Sequence, residues 1–152
     1  MKVEYKTVIN RVPGEVFAYV SCYKNDPIWL GTILESEQTS EGPPGVGTRL
    51  RRVGRILGRP IPTTAEIIEF VPDLKSCFKS LSGPLPLVET RCCEPVRGGT
   101  CFTYSISIDG YSGRLFRLSE SSLAHFIQHQ LEADLNNLKE LLETCFEAKN
   151  RS

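Results

Sequence analysis

Residues 115–146, LFRLSESSLAHFIQHQLEADLNNLKELLETCF, decide the fold of this chain. The segment contains neither proline nor glycine, the two residues that most often interrupt a helix. When its residues are placed about 100° apart on a helical wheel, most apolar side chains fall within one arc. The segment is therefore predicted to be one long amphipathic helix, with serines near position 120 marking a break close to its start. The apolar arc consists of Leu123, Ile127, Leu131, Leu138, Leu141 and Cys145.

The sequence before this segment predicts a strand, two short helices and six further strands. Apolar and polar residues alternate over residues 3–9, which is typical of an amphipathic strand. Pro13 and the Asn25-Asp26-Pro27 triplet mark the starts of two short helices, the first at about 14–22. Glycine and proline separate the later strands, and such short links favour antiparallel neighbours. These strands are predicted at 33–39, 48–57, 61–71, 75–82, 87–94 and 100–108.

This order predicts an α+β fold in which a curved seven-stranded antiparallel sheet wraps around the long C-terminal helix. The helix is the one long element that can cover the apolar face of the sheet. Because a single helix covers a concave sheet incompletely, we expect an internal cavity between them, partly closed by the two short helices. The whole chain, 1–152, is predicted to be one domain, since chains of about 150 residues bury roughly 68–70% of their unfolded surface.

Composition and charge narrow the classes of function. Lys and Arg number 18 and Asp and Glu number 18, so the chain lacks the net positive charge typical of nucleic-acid-binding proteins. No apolar run approaches the roughly 20 residues that span a bilayer, and the N-terminus has no signal segment. We therefore expect a cytoplasmic protein without stable membrane insertion, either a monomer or a weak homodimer. In that reducing compartment we expect free thiols at Cys22, Cys77, Cys92, Cys93, Cys101 and Cys145.

Several local strings resemble the START-like (SRPBCC) superfamily, in particular its polyketide cyclase/dehydrase and lipid-transport types. The resemblance covers nearly the whole chain and implies a helix-grip fold around a hydrophobic pocket. It also implies a hydrophobic small-molecule ligand. The superfamily includes carriers, cyclases and aromatases without a shared catalytic motif, so function must be argued from the pocket. The strings are VPGEVFAYV at 12–20, residues 23–29, GVGT at 45–48, EFVP at 69–72, GGT at 98–100 and the helical residues 135–142.

Alternation along the last strand predicts which of its side chains line the pocket. One face is apolar and aromatic, and the other carries cysteine, threonine and serine, so the first face is expected to look inward. Phe102, Tyr104 and Ile106 lie on that face and are predicted to contact the ligand.

The turn before this strand decides where Glu89 and Arg91 point. With a two-residue turn at Gly98-Gly99, Ile106 pairs with Arg91 and both charged side chains enter the pocket. There they would orient a ligand, or act as a general acid or base with an orienting partner. A three-residue turn shifts the register by one and leaves both as a solvated surface pair. Both alternatives remain open.

Other candidate ligand contacts come from isolated residues. Trp29, the only tryptophan, is either a pocket wall or lid, or a residue of the core. Arg52 alternates in phase with Leu50 and can reach inward. Its neighbouring arginines are expected at a solvated edge or rim, where nearby acidic residues neutralise their charge. Catalytic candidates are Glu89, Arg91 and Tyr104. The predicted ligand-binding set is Tyr5, Trp29, Arg52, Glu89, Arg91, Phe102, Tyr104, Ile106, Phe116, Leu123 and Ile127.

Three further titratable residues lie on the predicted helix. Asp134 falls inside the apolar arc, either as an acid that reaches the cavity or as a side chain bonded to a strand hydroxyl or a loop amide. His125 and His129 have a metal-ligand spacing, but they lie on the opposite, solvent-facing side. We therefore expect no metal site, no cofactor and no histidine base in the pocket.

These observations leave three classes of function. The first is binding of a hydrophobic or aromatic small molecule, lipid or polyketide-like, driven by apolar burial at about 25 cal/mol per Å². The second is a polyketide cyclase or aromatase-type enzyme, which would position a poly-β-keto chain and move protons through pocket acids and hydroxyls. The third is a protein-interaction module that uses the cavity mouth and exposes an apolar patch around Trp29.

Overall fold

A computed structural model describes residues 1–151, with side chains through residue 144. Over these residues the chain forms seven strands and three α-helices, and a 3₁₀ turn, Tyr23–Asn25, joins the first two helices. The helices are α1 (Pro13–Val20), α2 (Asp26–Trp29) and α3 (Glu120–Arg151). The strands are β1 (Lys2–Ile9), β2 (Ile33–Gln38), β3 (Arg49–Ile56), β4 (Arg59–Val71), β5 (Lys75–Ser82), β6 (Leu87–Val96) and β7 (Gly99–Ile108).

All seven described strands belong to one antiparallel sheet in the order β1-β7-β6-β5-β4-β3-β2. Strands β2 to β7 follow one another as a meander, and β1 pairs with β7. Register shifts at Ile33/Glu35 in β2 and at Thr64/Ala65 and Ile67/Glu69 in β4 bend the sheet, because a bulge increases local twist. The predicted curved seven-stranded sheet, two short helices and long C-terminal helix are confirmed.

The core lies between α3 and the concave face of this sheet. Most of the predicted apolar arc is buried, which confirms the helical periodicity. Leu141 is half-buried and Leu142 is buried in its place, while the Cys145 side chain lies outside the described residues. Among the residues described, no helix is long and apolar enough to cross a membrane. The buried positions of α3 include Leu123, Ile127, Leu131, Leu135, Leu138 and Leu142.

Helix α3 begins at Glu120, and the predicted start at Leu115 is wrong. Arg117 has a φ of 56°, a left-handed conformation that a right-handed helix does not contain. Ser119 then caps the helix, because its Oγ accepts the Ser122 backbone N–H at 3.1 Å. The serines near position 120 therefore mark the beginning of the helix rather than a break within it.

The β6–β7 hairpin differs from the predicted register by two positions. Its turn is Arg97-Gly98, so Ile106 pairs with Glu89 and the predicted pairing with Arg91 is wrong. A two-residue shift leaves every side chain on its predicted face, because side chains alternate with a period of two. Glu89 and Arg91 are accordingly buried, which decides between the two alternatives in favour of the inward one.

Candidate functional site

A cavity of about 90 Å³ lies between α3 and the concave face of the sheet. Its wall is mainly apolar and includes Ile61, Leu87, Ile106, Ile108, Ile127 and Leu131. Polar groups enter the wall from both sides: Arg52, Glu89 and Tyr104 from strands, and Gln130 and Asp134 from α3. The predicted hollow between helix and sheet is thus present, and it combines an apolar surface with a few fixed polar groups.

The cavity is narrow for a polycyclic or long-chain molecule. A cavity of about 150 Å³ accommodates benzene in a protein core, and sites for drug-sized ligands span roughly 300–1,000 Å³. Ile33, Ile56 and Phe126 are half-buried members of the wall, so they lie on its more exposed side. Even a ligand of one ring therefore extends past these residues or displaces them.

Four described side chains, Asp26, Arg52, Glu89 and Arg91, form a buried ionic network beside the cavity. Arg91 donates from Nη1 and Nη2 to the two carboxylate oxygens of Asp26, both at 2.8 Å, and from Nη2 to Glu89 Oε1 at 2.6 Å. Arg52 bridges the same two acids, through Nη1 to Glu89 Oε2 at 3.0 Å and through Nη2 to Asp26 Oδ2 at 2.9 Å. Two positive charges meet two negative charges, so the network is neutral.

Separate elements bring these four residues together. Asp26 begins α2 and Arg52 lies on β3, whereas Glu89 and Arg91 are two residues apart on β6 and therefore share its inner face. Arg91 also donates to the backbone carbonyl of Val20 at the end of α1, at 2.7 Å. The network thus connects both short helices to two strands on the inside of the sheet.

Aromatic rings enclose the network. The Arg91 guanidinium lies 4.5 Å from the ring centre of Tyr23, 5.2 Å from that of Trp29 and 5.3 Å from that of Tyr104. Such cation–π contacts stabilise a desolvated guanidinium. Together, the rings and the network fill the space beside the cavity, which explains why the hollow is small.

The pKa values of Glu89 and Tyr104 favour a positioning role over proton transfer. Burial alone would raise the pKa of Glu89, but the Arg52 and Arg91 guanidinium groups and the Tyr104 hydroxyl hold it below its ordinary value. Burial, together with the Glu89 charge, raises the pKa of Tyr104 well above its ordinary value. At neutral pH the carboxylate therefore stays ionised and the phenol stays protonated, so each orients its neighbours without exchanging a proton.

A profile of the family described as polyketide cyclase / dehydrase and lipid transport matches residues 1–143. The chain belongs to this family. The profile match confirms the expected family, and solved structures at low sequence identity show the same fold, which confirms the expected helix-grip fold. Comparison with curated proteins by sequence finds no significant match.

Three structural neighbours illustrate the fold of this polyketide cyclase/dehydrase and lipid-transport family member. TTHA0849 from Thermus thermophilus is 19% identical, with a TM-score of 0.79 over 95% of this chain and 99% of that one. A START superfamily protein from Mycobacterium smegmatis is 14% identical, with a TM-score of 0.73 over 93% and 98% of the two chains. The ZhuI aromatase/cyclase from Streptomyces sp. R1128 is 14% identical, with a TM-score of 0.73 over 94% and 93%.

Five of the predicted ligand contacts lie in the cavity wall: Arg52, Glu89, Tyr104, Ile106 and Ile127. Arg91 is fully buried in the network and lies outside that wall. The remaining five residues pack within or against the hydrophobic core and lie outside the cavity wall, so their ligand contacts stay predictions. They are Tyr5, Trp29, Phe102, Phe116 and Leu123.

Trp29 is one of these five core residues. It is 1% exposed, and its ring meets those of Phe102 and Tyr104 edge-on, with centroid distances of 6.1 and 5.7 Å. Trp29 is therefore a core residue in this structure, rather than a wall or lid of the cavity.

Asp134 ties α3 to the loop that precedes β2. Its Oδ1 accepts the Gly31 backbone N–H at 3.0 Å and the Gln130 side-chain amide at 2.9 Å. Asp134 also lines the cavity, so both sequence alternatives apply, the bond to a loop amide and the reach into the hollow. Burial raises the pKa of this carboxyl, and the two hydrogen bonds oppose that rise.

Two members of the site, Asp26 and Gln130, were not predicted from the sequence. Asp26 fits the pattern of a helix start, and its partners Arg52 and Arg91 are too distant in sequence for any local pattern to connect them. Gln130 precedes Asp134 by four residues, the spacing at which helical side chains meet, and that signal was available.

The two histidines do not contribute to the cavity. His125 and His129 are exposed on α3, with ring centroids 4.5 Å apart. Within the part of the chain that the structure describes, no group of three or more His, Cys, Asp or Glu side chains is placed to hold a metal.

Acidification is expected to destabilise the fold through Glu89. Because the pKa of Glu89 is lower in the folded chain, its stabilisation is complete above its ordinary value of 4.5 and is lost as the pH falls further. The raised pKa of Asp134 acts in the opposite direction and offsets part of this loss. Urea unfolding at several pH values should show wild-type stability falling below about pH 4.5.

Glu89→Gln isolates the contribution of this carboxylate to the pH profile. The variant should be less stable than the wild type at neutral pH, because Arg52 and Arg91 lose a buried counter-charge. Its stability should then fall less steeply in acid. An acid profile parallel to that of the wild type would assign the pH dependence to other carboxyl groups.

Proposed function

We propose that this protein binds a small hydrophobic molecule in the cavity between α3 and the sheet. The proposal is supported by one observation, a mainly apolar hollow of about 90 Å³ with charged groups held in fixed positions beside it. Burial of apolar ligand surface would supply the affinity, at about 25 cal/mol per Å². The volume of about 90 Å³ takes part of a single ring, or one end of a longer lipid or polyketide-like chain, and the remainder of the ligand passes the mouth.

An enzyme of the cyclase or aromatase type is the second candidate. Its support is Asp134, a cavity carboxyl whose pKa is raised by burial and which is therefore the wall group best suited to hold a proton. Glu89 is a weaker candidate acid because the two arginines hold its pKa low. An interaction module has less support, since Trp29 is buried and does not supply the exposed patch expected for it.

Filling the cavity tests the binding proposal. Ile106→Trp adds an indole to the wall from β7, at the position that pairs with Glu89 of β6. We expect it to weaken the binding of toluene by about 100-fold, while overpacking costs the fold about 1–3 kcal/mol. Isothermal titration calorimetry and ligand-observed NMR with toluene measure the effect, and unfolding in urea verifies that the variant is folded.

Ser105→Trp is the matched control, because Ser105 neighbours Ile106 on β7 and points to the opposite face. This variant should bind toluene like the wild type. Saturable binding that Ile106→Trp leaves unchanged would place the site elsewhere. A folded wild type that binds no aromatic probe would contradict the proposed function.

A further inference from the structure

The charges around the cavity indicate which polar group a ligand can carry. Among the described residues of the wall, Arg52 is the one cation. Both of its terminal nitrogens are engaged, Nη1 by Glu89 and Nη2 by Asp26. Its Nε–H is buried without a hydrogen-bond partner among the described residues, so Arg52 keeps one free donor, but its charge is already balanced by the two carboxylates. A carboxylate or phosphate that entered the cavity would add a negative charge beside a network that is already neutral, which is costly in a buried site.

Asp134, in contrast to Arg52, offers the cavity a hydrogen-bond acceptor that no described cation pairs with. Its side chain is 2% exposed and lies in the cavity wall. Oδ1 accepts both of its hydrogen bonds, from Gly31 and Gln130, and Oδ2 has no partner among the side chains and backbone that the structure describes. Both donors are uncharged amides, so no described cation pairs with this carboxyl. A carboxylate oxygen of a cavity-wall residue that has no protein partner favours a ligand that brings a donor.

We propose that the ligand is an uncharged hydrophobic molecule with a hydroxyl group, and that this hydroxyl donates a hydrogen bond to Asp134 Oδ2. The inference rests on the proposed function, because it requires the cavity to be the ligand site. The apolar wall takes the hydrocarbon part of the molecule, and Asp134 fixes its polar end next to α3. Asp134 is then a specificity-determining residue, and the neutral network excludes acidic ligands such as fatty acids.

Four probes of similar size test the inference on the wild-type protein. Benzyl alcohol has a donor, benzonitrile has an acceptor only, toluene has no polar group and benzoate is an anion. We expect benzyl alcohol to bind about tenfold more tightly than toluene or benzonitrile, since it alone adds a hydrogen bond to a carboxylate, and benzoate to bind most weakly. Calorimetry gives the affinities. The Gly31 amide resonance is a local reporter, because its N–H is bonded to Asp134.

Asp134→Asn replaces Oδ2, the oxygen without a partner, by an amide nitrogen, while Oδ1 is retained as the acceptor for Gly31 and Gln130. The side-chain amide places a donor where Oδ2 had been an acceptor. The preference for benzyl alcohol over benzonitrile should disappear in this variant. Glu132→Gln makes the same chemical change on the exposed side of α3 and should leave all four affinities unchanged.

The outcomes separate this inference from the proposed function. If toluene binds as tightly as benzyl alcohol, or benzoate binds best, the hydroxyl assignment is wrong although the cavity still binds ligands. If no probe binds to folded wild-type protein, the proposed function fails and this inference with it. Should Asp134→Asn not fold, the ranking of the four probes on the wild type still decides the assignment.

Discussion

Replacement of Arg91 by methionine is expected to lower the free energy of unfolding by about 3–5 kcal/mol. Arg91 is completely buried and donates hydrogen bonds to Asp26, Glu89 and the Val20 carbonyl. Methionine preserves an unbranched apolar side chain, but it leaves two buried carboxylates with Arg52 as their one counter-charge in the network. Urea denaturation at neutral pH, followed by circular dichroism, measures the loss.

Arg51→Met is the matched control for this prediction. Arg51 is an exposed arginine that forms ion pairs with Glu35 and Glu37, at 3.3 and 2.7 Å. Its removal should cost less than about 1 kcal/mol, because solvent screens exposed pairs. If Arg91→Met costs no more than Arg51→Met, the network does not stabilise the closed interior, and the explanation offered for the small cavity is wrong.

The same network connects stability with ligand selection. A helix that grips a seven-stranded sheet leaves a hollow, and in this chain the four charged residues and the rings around Arg91 occupy part of it. What remains is a small cavity between the network and α3, with Arg52 and Glu89 in its wall. Because the network is already neutral, both groups shape the cavity and disfavour a further charge, although Arg52 keeps one unpartnered Nε–H.

Periodicity in the sequence predicted the strands and helices of this protein and the side chains that share a face of each, since both depend on spacing alone. Alternation placed Tyr104 on the inner side, whereas Glu89 and Arg91 were left open between the inner and the outer face. The two-residue-turn alternative has the observed face although its pairing of β6 with β7 was wrong, because a shift by two residues leaves each side chain on the same face. Arg52 was separated from its exposed neighbours by the same argument, and the structure buries it.

Features that depend on contacts between distant residues escaped prediction. The start of α3 depends on the positive φ of Arg117 and on the cap at Ser119, and a helical wheel detects neither. The burial of Asp26 depends on two arginines supplied by other strands. Alternation also does not distinguish a wall residue such as Ile106 from a packed one such as Phe102, because that difference arises from how side chains fill space.

Trp29→Ala is expected to destabilise the protein by about 3–5 kcal/mol, the usual cost of removing a large buried aromatic side chain. Trp29 packs edge-on against Phe102 and Tyr104, and the Arg91 guanidinium lies 5.2 Å from its ring centre. The substitution removes all of these contacts at once and leaves a cavity behind α2. Thermal and urea unfolding measure the loss, and toluene titration of the folded fraction measures any change in binding.

Ile28→Ala provides the comparison, because Ile28 lies beside Trp29 in α2 and is 63% exposed. Its removal should change stability by no more than about 0.5 kcal/mol. A lid residue would give a different pattern, in which Trp29→Ala accelerates ligand exchange while stability stays close to that of Ile28→Ala. The expected pattern is a large loss of stability specific to Trp29, since a side chain enclosed by two rings and a guanidinium contributes through packing before any ligand is present.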